Sequence, residues 1–110
     1  CIWQGDANEA ALRLLLHASS DVFRLNVTGP ETAGVRKTAL QLAALLGKEV
    51  CFAGQEEPTA YLNDAAKMAG LFGNPSVPLG TLIQWQARWI QAGGRALDKP
   101  THFEERGGSF

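Results

Sequence analysis

Residues 79–92 carry apolar side chains on two faces of a single helical period. Leu82, Trp85 and Trp89 fall on one face, and Leu79, Ile83 and Ile90 on another. A helix of this kind loses free energy unless it is covered from two sides, so it cannot sit on the surface of a thin fold. Its limits are marked in the chain. Pro75 and Pro78 prevent any helix from continuing into it, and Gly93-Gly94 stops it, leaving the last 16 residues as an irregular tail.

Three further helices are predicted. Val35, Ala39, Leu42 and Leu46 stand at i, i+4, i+7 and i+11, with Gly47 placed to close the helix in a left-handed turn. Asp6-Ala7-Asn8-Glu9 has the spacing of a capping box and opens a helix to about Ala18. Leu12, Leu15 and Leu16 lie on one side of that helix, while Glu9, Arg13 and His17 form a polar stripe. A shorter helix starts near Asp64, as its N-cap, and closes at Gly73.

Between these segments, Val22–Thr28 and Lys48–Ala53 are rich in β-formers and predict short strands, and Cys1-Ile2-Trp3 reads as the tail of another. Alternation of this sort implies an α/β layered fold: a small, mostly parallel sheet of two to three strands with about four helices. Such a sheet wants cover on both faces and neighbours on both edges, and this one is too small for the apolar faces around it. The expectation is therefore a portion of a larger α/β protein. Residues 1–92 would form the folded part and 93–110 the tail.

At 110 residues the chain has room for one domain. Ten basic and eleven acidic residues leave a net charge of -1, which argues against a nucleic acid or an anionic membrane as partner. No apolar run approaches the roughly 20 residues of a membrane helix. Cys1 and Cys51 lack metal-ligand spacing and read as two buried free thiols of a cytoplasmic protein.

Spacing alone yields no catalytic set, metal site or dinucleotide fingerprint. The loop Gly29–Gly34 precedes a helix bearing Lys37, but a phosphate-binding loop needs its lysine directly after the second glycine. Two residues intervene, turning Lys37 about 200° away around the helix. Glu56 and Glu57 are paired carboxylates in a loop after a predicted strand, where α/β folds commonly bind ligands and where acid–base chemistry could be done. His17 reads as a solvent-side residue at a helix end, and His102 belongs to a tail that could fold over a cleft.

In the order of its segments, the chain resembles the C-terminal third of the extended short-chain dehydrogenase/reductases, the NAD-dependent epimerase/dehydratase family. Cys1-Ile-Trp-Gln-Gly-Asp6-Ala-Asn looks like that family's strand with an Asp-led helix start. Arg24-Leu-Asn26-Val27-Thr28-Gly29 is similar to its "YNVG-x-G" strand, and Asp64-Ala-Ala-Lys67-Met with Leu71-Phe72-Gly73 to its "D-x-SKA…LGW" segment. Val77 to Trp89 resembles its last helix.

The resemblance implies an enzyme whose N-terminal Rossmann domain, upstream in the same chain, binds NAD or NADP and supplies a Tyr-x-x-x-Lys pair. The present portion would bind no cofactor, hold no catalytic residue and form one wall of the substrate cleft. Tyr61 has Ala65 four residues on, not Lys, and takes no catalytic role. Substrate-side candidates are Gln55, Glu56, Glu57, Tyr61 and His102. Where nucleotide-sugar enzymes of the family carry Arg-x-x-Asp, this chain has Gly54-Gln-Glu-Glu57, so a diphosphate would meet carboxylates without a cation. A smaller, uncharged or cationic substrate is expected. A homodimer is left open. The alternatives are a free-standing binding or scaffold module and a small phosphate-binding enzyme using the Gly29–Lys37 loop.

Overall fold

The computed structural model describes residues 1–56 and 58–99. Four helices carry the fold: α1 (Gln4–Leu14), which tightens into a 3-10 turn at Leu15–His17, α2 (Val35–Leu46), α3 (Ala66–Phe72) and α4 (Leu79–Gln91). The predicted periodicity of α2 and α4 is matched to within a residue. Gly47 closes α2 in the left-handed region at φ 63°, with its own N–H on the Ala44 carbonyl and Lys48 N–H on Ala43. The N-cap of α3 is Ala65, one residue after the expected Asp64, whose side chain still accepts the Ala66 N–H at 2.8 Å; the helix ends at Gly73 with φ 83°.

The expected sheet is not there. Among the described residues no strand forms: the stub at Cys1–Trp3 and the segments 22–28 and 48–53 run without a ladder. One backbone hydrogen bond ties the stub to the residue just after 22–28, Gly29 N–H to the Cys1 carbonyl at 2.9 Å. Side chains otherwise tie the 22–28 segment down, with Asn26 donating to the Asp64 carbonyl and Lys67 to that of Arg24. The fold is therefore helical, not a two- to three-stranded α/β sheet. The physical reason is that β-propensity measures fit to neighbouring strands, and an isolated pair of short strands is marginal in water.

The first helix also departs from expectation. It begins at Gln4, three residues early, so Asp6 lies inside the first turn and no capping box forms. Trp3 folds back over Gly5, where a β-carbon would meet the indole ring, and its ring meets Trp85 of α4 edge-on at 5.6 Å. On its other side α4 packs on α2, and Gln91 donates to the Leu45 carbonyl at 2.9 Å. Trp3 and α2 give α4 only part of the two-sided cover expected of it, and Ile90 is left 44% exposed. Ile83 and Ala87 are buried there, while Trp85 and Trp89 stay partly exposed.

Ala10 of α1 and Met68 of α3 are the remaining buried apolar residues among those described. The radius of gyration is 16.5 Å, against about 13 Å for a compact domain of this length. Much apolar surface is left bare: Leu12, Leu15, Leu16 and Val22 are 68–88% exposed. Both cysteines are exposed and unpaired, contrary to the expectation that they are buried. His17 is not a solvent residue either; its ring stacks on Phe23 at 5.5 Å and tilts against Phe72 at 5.7 Å.

Candidate functional site

Where the 28–33 loop meets residues 61–64, two clefts open side by side. Gly29 lines both, and it lies so close to the N-terminal segment that a β-carbon would stand 2.3 Å from the Cys1 carbonyl oxygen. Only glycine allows that approach. On the two flanks of Thr28-Gly29-Pro30 open clefts of about 280 and 210 Å3, which share Asn63. Asp64 and Asn74 line the first, and Glu31, Thr32 and Tyr61 the second.

The two carboxylates here already hold backbone. One oxygen of Glu31 accepts the Leu79 N–H at 2.7 Å, capping α4 from 48 residues away. One oxygen of Asp64 accepts the first N–H of α3. Pro78 has no side-chain acceptor of its own for that helix start, so Glu31 does what a local Ser or Thr would otherwise do. These bonds fix the carboxylates at the cleft edge.

The residues singled out in the sequence are dispersed. Tyr61 lines the smaller cleft. Glu56 does not; its Oε1 lies 2.6 Å from Nε of Arg36, in the first turn of α2, and the Arg36 guanidinium lies 4.3 Å from the centre of the Phe52 ring. The carboxylate expected to face a substrate without a cation has thus found one, from a residue 20 positions back. With its partners more than half exposed, such a pair contributes about 0–1 kcal/mol. Gln55 is exposed beside it. Gly54 adopts φ 82°, a backbone that an arginine at this position would adopt only with strain. Glu57 and His102 lie outside the described residues. Lys37 is exposed on α2.

A second feature escaped the sequence reading. Asp6 is buried, and its carboxylate accepts three hydrogen bonds from 70 residues away: from the Ser76 hydroxyl at 2.7 Å, and from the N–H groups of Ser76 and Val77 at 3.1 Å each. The Ser76 hydroxyl and these backbone donors hold its pKa below the ordinary aspartate value, against an opposing push from burial. A neighbouring cleft of about 160 Å3 is walled by Arg13, which pairs with Glu9, donates to the Phe72 carbonyl at 3.1 Å and lies over the Phe72 ring. The only local hint was an Asp in a helix-start pattern, and its partners could not be guessed from that.

Among the described residues no group of three His, Cys, Asp or Glu could hold a metal ion. Among the described residues lining the two clefts the charged side chains are Glu31 and Asp64, and the Cys1 ammonium donates to the Thr28 hydroxyl in the smaller one. No helix among the described residues is long and apolar enough to cross a membrane. No protein-family model matches the chain, and comparison with curated proteins and with solved structures finds no similar one.

Proposed function

We propose that the chain is the substrate-side portion of an NAD(P)-dependent epimerase/dehydratase or oxidoreductase of the extended short-chain dehydrogenase/reductase type. It would act in the cytoplasm on a sugar-like or other small polar substrate. The dinucleotide and the Tyr-x-x-x-Lys pair belong to a Rossmann domain preceding Cys1, and this portion contributes a substrate wall rather than chemistry. The ordered motifs from Gly5-Asp6 to Trp89 motivate the family.

The observation that carries the reading is the bare apolar surface. Leu12, Leu15 and Leu16 on one helix are more exposed than its alanine at position 10, which is buried. A face of three adjacent leucines is stable in water only when something covers it, and a Rossmann domain in the same chain would supply that cover.

The test reads the coding region upstream of Cys1 and titrates its full-length product with NADH and NADPH. A glycine-rich dinucleotide fingerprint, a Tyr-x-x-x-Lys pair and saturable nicotinamide fluorescence are expected. A reading frame starting near Cys1, with a product that stays monomeric and ignores hydrophobic dyes, would instead favour a free-standing binding module.

A further inference from the structure

We draw no further inference here: the strongest candidate, the cavity of about 160 Å3 between α1, the end of α3 and residues 73–76, carries nothing, since Asp6, Glu9 and Arg13 around it all bond within the chain and nothing in the structure points to a ligand.

Discussion

The two ends of α1 follow opposite rules. Near its start, a carboxylate and an alanine are buried; towards its end, Leu12 and the leucines of the 3-10 turn, Leu15 and Leu16, face water. Burying a charge costs free energy unless each lone pair finds a donor, and Asp6 finds three. Exposing leucine costs free energy whatever its neighbours do. The difference teaches that the start of α1 is tied down by polar bonds within this chain, while its end is left bare among the described residues. The start joins the segment before α4 through Ser76 and Val77; the end leaves Leu12, Leu15 and Leu16 in water.

The largest effect expected from any single substitution is therefore at Asp6. Asp6→Ala leaves the Ser76 and Val77 N–H groups without an acceptor and separates the segment before α4 from α1. Its melting temperature should fall further than that of any other variant named here. The charge has its own signature. Because the folded-state pKa is depressed, the unfolded chain takes up the proton first. The stabilisation is thus fully present above the unfolded value of about 3.9 and is lost as pH falls through the lower folded value. Urea midpoints of the wild type should be flat near neutrality and drop below about pH 4, and Asp6→Asn should remove that drop. A wild-type profile already flat to acid would show that the two ends of α1 do not differ in this way.

The helices were legible because their information is local. Val35 to Leu46 shows its period within twelve residues, Gly47 and Gly73 mark helix ends by their backbone freedom, and Asp64 caps a helix two residues away. The sheet was misread because Val22–Thr28 and Lys48–Ala53 advertise strands, yet pairing depends on neighbours this chain does not supply. Asp6 was misread for the same reason in reverse. Its spacing to Glu9 imitates a local cap, while its true partners sit near α4, beyond any window. Of the site candidates, Tyr61 lines the smaller cleft, while Glu56 pairs with Arg36 in the first turn of α2, a contact 20 positions away that no local window shows.

A smaller effect is expected at Gly29, which joins the N-terminal segment to the two clefts. Gly29→Ala would push a methyl against the Cys1 carbonyl and break the hydrogen bond between them. Overpacking of this kind costs about 1–3 kcal/mol, readable as a shift in the urea midpoint. It should also shift the amide resonance of Asn63 by tilting the shared wall of the two clefts. A stability loss with Asn63 unmoved would uncouple the clefts from the N-terminal segment.

The smallest effect on the chain alone, and the most telling, is expected at the bare end of α1. Replacing Leu12, Leu15 and Leu16 together by Gln keeps helix propensity nearly constant and removes only apolar surface already in water. The unfolding midpoint should stay within about 0.5 kcal/mol of the parent, while dye binding and self-association fall. In the full-length protein the same change should behave differently. Each leucine covered by a neighbouring domain contributes about 1.5–3 kcal/mol, so the triple variant there should unfold at much lower denaturant or lose its domain contact. The contrast between the two settings is the measurement. If the substitution unfolds the isolated chain as severely as Asp6→Ala, the leucines are part of its own core and the two ends of α1 are alike. If it is silent in both, no partner rests on them, and the exposed face must be explained by something other than a missing domain.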